Sequence, residues 1–253
     1  MGRNVAERPA GRFWEIDFLR GAAVVSMILI HLLDDLYFLG FIRSFPWRAG
    51  IIWQRLTAAL FLTLAGVSLA LGSARAGPEE RGQLFWKNCR RGGKIFLWGM
   101  LVTLVTRLFL REGFVRFGVL HLIGLAVLVS YPFLRLRYWN LGFGALSIAL
   151  GSYLAKQRTA GPWLLWLGIK PEDFFAADYF PLFPWFGLIL WGLFLGNTLY
   201  AGYRRRFRLQ DRRHLPVIRW GCRLGEHSLL IYLIHQPLLI GLLYLYGWLS
   251  GRG

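Results

Sequence analysis

Long apolar runs separated by short polar segments make up almost the whole chain. A transmembrane helix needs roughly 20 predominantly apolar residues, and seven runs approach that length. Together they predict an all-α, polytopic integral membrane helix bundle that forms one domain over residues 1–253. The fifth run is the shortest and carries several glycines. The predicted spans are 17–39, 50–72, 93–110, 115–134, 139–155, 179–202 and 224–249.

The composition excludes a water-soluble enzyme, because 56% of the 253 residues are hydrophobic and only 17% are charged. A net charge of +17 would suggest nucleic acid as the partner of a soluble chain. Here the basic residues lie in short segments between apolar runs, a pattern typical of topology anchors. The expected partner is therefore the lipid bilayer, and no nucleic acid is expected.

The distribution of Lys and Arg predicts the orientation. Most of these residues lie in the N-terminal tail (1–14) and in the second, fourth and sixth gaps, above all in a basic loop at 204–223. By the positive-inside rule the N-terminus is cytoplasmic and the C-terminus is outside, in a multi-pass protein of the plasma (inner) membrane. Cys89 and Cys222 then face the reducing side and are expected to be unpaired. The first run, which lacks a cleavage site, is expected to be a retained signal anchor.

The first span carries an unusual stripe of ionisable residues. Arg20 and His31 are eleven residues apart, which at about 100° per residue places both on one helix face. Asp34 and Asp35 follow His31 at the two spacings that bring helix side chains together, and Asp17 lies near the same stripe. Because an ionisable group in a span is costly, each of these residues calls for a partner or a role.

A histidine beside a carboxylate is the arrangement that general-base catalysis uses. The carboxylate fixes the imidazole tautomer and stabilises the imidazolium that forms on proton abstraction. The alternative for His31 is an interhelical hydrogen bond with interfacial aspartates. Arg20 is either a cytoplasmic anchor or the partner of an anionic ligand.

Further polar side chains fall within or beside the later spans and are predicted to bind substrate. For the two histidines among them, an interhelical hydrogen bond is the structural alternative. The sixth span follows an acidic residue and begins with two prolines, which predicts a kinked or broken helix start beside a cavity. These candidates are Arg55, Arg116, His121, Asp178 and His235. No metal site is expected, because the cysteines lack metal-site spacing.

Five segments stand out, in this order along the chain: FWEIDFLRGAAVVSMILIH, FLTLAGVSLAL, RFGVLHLIGLAVL, DYFPLFPWFGLILWGLFLG and GEHSLLIYLIHQPLL. Together they resemble the heparan-alpha-glucosaminide N-acetyltransferase-like branch of the membrane acyltransferase superfamily. The resemblance extends from about Arg12 to Leu249. The first segment is also similar to the Arg-x10-His motif of family-3 membrane acyltransferases, with Arg20 and His31 in the motif positions.

This resemblance implies transfer of an acyl group, usually acetyl, from cytosolic acyl-coenzyme A to a hydroxyl or amine of an extracytoplasmic carbohydrate or glycolipid. It implies His31 as the catalytic base and Arg20 as an essential residue beside it. Acyl-coenzyme A is then the donor substrate, and its phosphates would meet Arg20 and the cytoplasmic arginines. Arg55, Arg116 or a loop amide are candidates to stabilise the oxyanion.

The chain departs from the enzyme that names the branch. That enzyme has a catalytic histidine in the loop after its first span, whereas residues 38–49 here contain no histidine, and it has more spans. The heparan substrate is therefore not carried over. Direct transfer is favoured over an acyl-histidine intermediate.

Other function classes remain open at this point. A proton-coupled transporter could use His31, Asp34, Asp35 and His121 as a relay, although the odd span count and the lack of an internal repeat argue against it. A b-type haem protein could use His31, His121 or His235 as axial ligands. A purely structural membrane subunit would leave the charged stripe unexplained. The oligomeric state, including a homodimer, is left open.

Overall fold

The structure is a computed structural model that describes residues 11–76, 80–110 and 112–251. Residues 1–10 of the predicted cytoplasmic tail lie outside this description. The described residues form helices and no β-strand, apart from isolated bridges that join Phe117 to Tyr179 and Arg158 to Lys170. The α-helices are α1 (Trp14–Phe38), α2 (Trp47–Arg75), α3 (Arg81–Phe109), α4 (Val119–Val129), α5 (Trp139–Leu154), α6 (Leu182–Leu199), α7 (Pro216–Glu226) and α8 (Ser228–Leu249).

In the described part of the chain, five helices are long and apolar enough to cross a membrane: α1, α2, α3, α6 and α8. The structure does not confirm the predicted number of seven. The fourth and fifth predicted spans correspond to α4, with 11 residues, and α5, with 16 residues. At about 1.5 Å per residue these helices are roughly 16 and 24 Å long, shorter than a hydrocarbon core of about 30 Å.

Helix boundaries also differ from the predicted spans where polar residues continue a helix. The third helix begins at Arg81 instead of residue 93, so Lys87, Arg90 and Lys94 are helical and do not form a loop. The last predicted span is divided at His227, between α7 and α8. Hydropathy alone missed both features, because it locates the membrane segment and not the ends of the helix.

The proline-rich start of α6 has the irregular backbone that its sequence predicts. Pro181 precedes the helix, and Phe183 has non-helical dihedral angles (φ −99°, ψ 131°) within the first turn. The peptide bond from Phe183 to Pro184 is cis.

The helices group into two compact units, and α2 runs from one into the other. The terminal unit comprises Gly11–Phe61 and Leu209–Gly253, which contain α1, the first half of α2, α7 and α8. The central unit comprises Leu62–Arg208, which contain the rest of α2 and α3 to α6.

In the terminal unit, α1 runs parallel to α7 and α8. Gly21 meets the backbone of Gly221 near the start of α1, and the ring of His31 meets that of His235 further along. Residues further along α1 therefore contact residues further along the segment from α7 to α8, as they do in parallel helices. The approach of α1 to α7 is close, because a Cβ at Gly21 would collide with the carbonyl oxygen of Gly221. Small residues permit this kind of helix contact.

In the central unit, the helix pairs α3 with α4 and α5 with α6 are antiparallel. Gly92 and Gly124 lie in contact where α3 crosses α4, and Gly144 and Gly187 do so where α5 crosses α6. Beside them, the second half of α2 packs along α6 through Gly66 and residues around Gly192. The interior is apolar and includes Leu62, Leu122 and Leu193, each with 0% exposure.

Several helices keep large apolar side chains on their outer faces. On α8, for example, Leu230 is 56% exposed and Leu238 is 57% exposed. Apolar surface of this extent is a liability in water but is matched by lipid chains. The chain is accordingly a multi-pass membrane protein.

Candidate active site

The terminal unit brings together the polar stripe of α1 and side chains from two neighbouring helices. Asp34 accepts a hydrogen bond from Gln54 Nε2 of α2 at 2.7 Å. Asp35 accepts from Gln236 Nε2 of α8, at 2.8 Å to Oδ1 and 3.0 Å to Oδ2. The two carboxylates one turn beyond His31 are thus held by neutral amide donors from different helices.

His31 lies against a second histidine, which the sequence placed on the last span. The ring centroids of His31 and His235 are 5.1 Å apart and their planes are inclined by 45°. His235 is only 7% exposed, and its Nδ1 lies 2.7 Å from the carbonyl oxygen of Tyr232. Since a carbonyl can only accept, Nδ1 is the protonated nitrogen, and Nε2 of the neutral ring carries a lone pair.

Two buried hydrogen-bond acceptors on α8 face this region without a donor. Within the described residues, Nε2 of His235 and Oε1 of Gln236 have no hydrogen-bond partner. Buried polar atoms are nearly always satisfied in folded proteins, and an orphan at such a place calls for a functional explanation. Pro237 follows directly. Because proline has no backbone N–H, the carbonyl of Leu233 lacks the helical hydrogen bond that it would otherwise accept.

A chain of hydroxyl contacts fixes α2 against α1 one turn before His31. The hydroxyls of Ser26 and Thr57 lie 2.7 Å apart, and Trp53 Nε1 donates to the Ser26 hydroxyl at 2.7 Å. These bonds hold the same part of α2 that carries Gln54. They therefore help to position the amide that binds Asp34.

Arg20 belongs to a charged cluster at the start of α1. Asp17 is buried, at 4% exposure, and accepts from Arg20 Nη1 at 3.1 Å and from Arg12 through Nε at 3.0 Å and Nη2 at 2.8 Å. Both arginines are thus drawn to one carboxylate. Nearby, the Cys222 thiol donates to the Trp14 carbonyl at 3.3 Å, and burial raises its pKa, so it stays protonated.

Arg55, the remaining candidate of the terminal unit, is an exposed residue of α2. The described contacts of this unit join His31, Asp34, Asp35 and His235 through α2 and α8. They do not join Arg55 to that group.

The central unit holds the other three candidates, and two of them secure the start of α4. The backbone N–H of Gly118 donates to Nδ1 of His121 at 3.2 Å, and Nε2 lies 3.4 Å from the Thr103 hydroxyl. Because a backbone N–H must donate, Nδ1 is unprotonated and Nε2 carries the proton. Asp178 accepts from the N–H of Val119 at 3.2 Å. His121 therefore has the interhelical arrangement that was its structural alternative.

Arg116 of the central unit lies among aromatic rings. Its guanidinium carbon is 5.1 Å from the Phe114 centroid and 5.4 Å from the Phe174 centroid. Cation–π contacts of this kind occur commonly where an arginine is partly removed from water.

Sequence reasoning missed the neutral partners of the stripe. Gln54, Gln236, Ser26 and Thr57 carry no charge, so a search for costly ionisable groups passes over them. A signal was available in the segment HQP of the last span, in which an amide follows a histidine and precedes a helix-disrupting proline. Which aspartate each amide binds depends on helix rotation, which the sequence does not specify.

The family model described as heparan-alpha-glucosaminide N-acetyltransferase, catalytic, matches residues 12–237. The chain belongs to this family. The match contains α1, the polar stripe and the histidine pair, and it agrees with the resemblance carried by the five segments. Family membership indicates a membrane acetyltransferase. No significant match is found among curated proteins or among solved structures.

Within the described residues, no group of three or more His, Cys, Asp or Glu is placed to hold a metal ion. The polar groups around His31 are instead two histidines, two carboxylates and two amides. This set suits the binding and movement of protons.

The contacts of His121 lead to a prediction about stability. His121→Leu leaves the buried N–H of Gly118 without an acceptor, which costs about 1–3 kcal/mol, and should lower the Tm of the purified protein by roughly 2–10 °C. His121→Asn retains an acceptor near the position of Nδ1 and should recover part of the loss. Thermal unfolding in detergent measures both variants, and an unchanged Tm in His121→Leu would contradict this role.

Proposed function

We propose that this protein transfers an acetyl group from cytosolic acetyl-coenzyme A to a hydroxyl or amine of an extracytoplasmic carbohydrate or glycolipid, with His31 as the general base. The observation that carries the proposal is the grouping of His31 with His235 and with the amide-held carboxylates Asp34 and Asp35. Family membership supports acetyl transfer as the reaction and acetyl-coenzyme A as the donor.

The reaction can be balanced with His31 as the only proton carrier. The oxygen or nitrogen of the acceptor attacks the thioester carbonyl. At the same time, a lone pair of the His31 imidazole removes the proton from that acceptor hydroxyl or amine. The tetrahedral intermediate then collapses with cleavage of the C–S bond. The imidazolium returns the proton to the leaving thiolate, so that coenzyme A departs as a thiol and His31 is regenerated.

The surroundings of His31 favour the charged intermediate. Asp34 and Asp35 lie one turn away on the same helix, within about 5–6 Å between Cβ atoms, and their negative charge stabilises an imidazolium. Amide donors hold both carboxylates, and these bonds fix their direction without neutralising them. Such preorganised charge is most effective where water is excluded.

We assign the donor phosphates to Arg20 and to the basic segment 204–223. Arg20 is the α1 arginine eleven residues before His31, about 16 Å along the helix axis. The extended pantetheine arm of the donor could span a separation of this size. Guanidinium groups bind phosphate well.

The parallel course of α1 and α8 supports termini on opposite sides of the membrane. Two parallel spans cross the membrane in the same direction. The chain must therefore cross the membrane an odd number of times between the start of α1 and the end of α8. The helices α4 and α5 then either both cross the bilayer or both remain partly inserted. The distribution of Lys and Arg supports a cytoplasmic N-terminus and a plasma membrane location.

For the acceptor we propose a sugar hydroxyl or amine outside the membrane. Arg55, Arg116, His121, Asp178 and His235 remain candidate substrate-binding residues, although His121 and Asp178 already hold the start of α4. The family name refers to heparan glucosamine, and the missing loop histidine argues against assigning that acceptor here. A proton relay through His121 has no support, since both its ring nitrogens have partners within the central unit.

The proposal predicts that His31→Ala abolishes turnover but leaves the protein folded. Loss of a general base lowers kcat by about 10²–10⁴-fold, whereas removal of a costly polar group should not harm membrane insertion. The assay measures release of coenzyme A from acetyl-coenzyme A by purified protein in detergent, with glucosamine and glucose as acceptor probes.

Gln157→Ala is the control for this experiment, because Gln157 is an exposed polar residue of the central unit, outside both the stripe and the basic segment 204–223. It should retain wild-type turnover. Equal rates in His31→Ala and wild type would refute the assignment of His31 as the base.

The donor assignment predicts that Arg20→Ala raises the KM for acetyl-coenzyme A by about tenfold or more and changes kcat much less. The expected size of the effect corresponds to the loss of one charge-assisted hydrogen bond to the donor. Asp17 keeps its two bonds to Arg12 in this variant, so α1 should remain intact. Steady-state kinetics at varied donor concentration measures the effect. A normal KM combined with poor membrane insertion would show that Arg20 is only a topology anchor.

A further inference from the structure

We propose that His235 is the positioning residue of the catalytic histidine: its Nε2 accepts the N–H of His31, fixes the tautomer of that ring and shares its positive charge during transfer. The proposal rests on the proposed function for its catalytic meaning. The contact between the two rings can be tested without any assumption about the reaction.

The hydrogen bond of His235 to the backbone defines the tautomer of its neutral ring. Its Nδ1–H donates to the Tyr232 carbonyl at 2.7 Å, a bond within one turn of α8. The direction of this bond is fixed because a carbonyl has no proton to give. Nε2 is therefore an acceptor in the neutral state, and it is the nitrogen on the far side of the ring from the bond to Tyr232.

Nε2 of His235 needs a hydrogen-bond donor. The atom is buried, it belongs to a side chain that is 7% exposed, and it has no partner among the described residues. An unsatisfied buried acceptor costs about 1–3 kcal/mol. Such a cost points to a donor that the site itself or a substrate supplies.

His31 is the neighbouring side chain that can supply this donor. Its ring centroid lies 5.1 Å from that of His235 at an inclination of 45°, a separation at which the facing edges of two imidazoles are neighbours. A modest rotation about the broad χ2 torsion of either ring brings an N–H of His31 towards Nε2. The other nitrogen of His31 then carries the lone pair and is the base.

The result is a chain of oriented groups: the Tyr232 carbonyl, His235, His31 and the acceptor. It follows the logic of a catalytic triad, in which a base is held in the correct tautomer by a third group. The carboxylates Asp34 and Asp35 follow His31 by three and four residues on α1, and their negative charge favours the shared positive charge of the pair. The amides Gln54 and Gln236, which complete the surroundings, are neutral.

Two substitutions of His235 separate this role from a structural one. His235→Leu removes the acceptor and should lower kcat by about 10²-fold with little change in the KM for acetyl-coenzyme A. His235→Gln places an amide oxygen near the position of Nε2, which can accept the N–H of His31 but cannot take up a proton. It should recover at least tenfold of the kcat lost in His235→Leu.

The control is Gln157→Leu, an exposed polar residue of the central unit changed to the same residue, which should behave as wild type. Equal loss of kcat in His235→Leu and His235→Gln, both folded, would overturn the proposal. A rise in KM alone would also overturn it and would make His235 a substrate-binding residue instead.

A spectroscopic measurement on the protein without substrate completes the test. With ¹⁵N-labelled histidine, the proposal predicts a protonated Nδ1 and a bare Nε2 on His235, and a coupling across an N–H···N bond to His31 that disappears in His235→Gln. A protonated Nε2 on His235 would overturn the pair. If the coupling is present but His31→Ala retains full turnover, the pair stands and the proposed function fails.

Discussion

Everything in the candidate site depends on the cost of an unsatisfied polar group in a membrane. Lipid offers no hydrogen bonds, so each polar side chain of α1 must find its partner within the protein. Asp34 finds Gln54 and Asp35 finds Gln236, and these two bonds tie α1 to α2 and α8. Within the described residues, Nε2 of His235 and Oε1 of Gln236 remain unsatisfied beside these bonds, and His235 is the one of the two whose ring lies against that of His31. Buried polar atoms without a hydrogen-bond partner therefore indicate where a further donor is needed in this site.

The close contact between α1 and α7 contributes to this arrangement from the other end of the helix. Gly21, Gly221 and Gly225 let the two backbones approach, and the break at His227 redirects the chain into α8. Because α8 then runs parallel to α1, His235 and Gln236 meet His31 and Asp35 in register. A charged cluster around Asp17 lies at one end of α1, and the pair of His31 and His235 lies further along. The proposed function, with a phosphate-rich donor on one side and a sugar acceptor on the other, would use this separation.

The sequence predicted the parts of this description that depend on local pattern. The apolar runs, the stripe from Arg20 to Asp35 and the family resemblance all follow from residue type and spacing, and the family model agrees with the last. The structure does not confirm the predicted number of seven spans, because α4 has only 11 residues, a length that hydropathy does not reveal. The pairing of His31 with His235 was also beyond reach. It depends on the rotation and direction of two helices that are about 200 residues apart in the chain.

The most direct test of the account asks whether the acetyl group crosses from one side of the membrane to the other. Sealed proteoliposomes would enclose glucosamine and glucose, with radiolabelled acetyl-coenzyme A present only outside. The account predicts that label accumulates on the enclosed sugar while the donor stays outside, and that vesicles carrying His31→Ala show none. Label that reaches sugar only when sugar and donor share a compartment would contradict it.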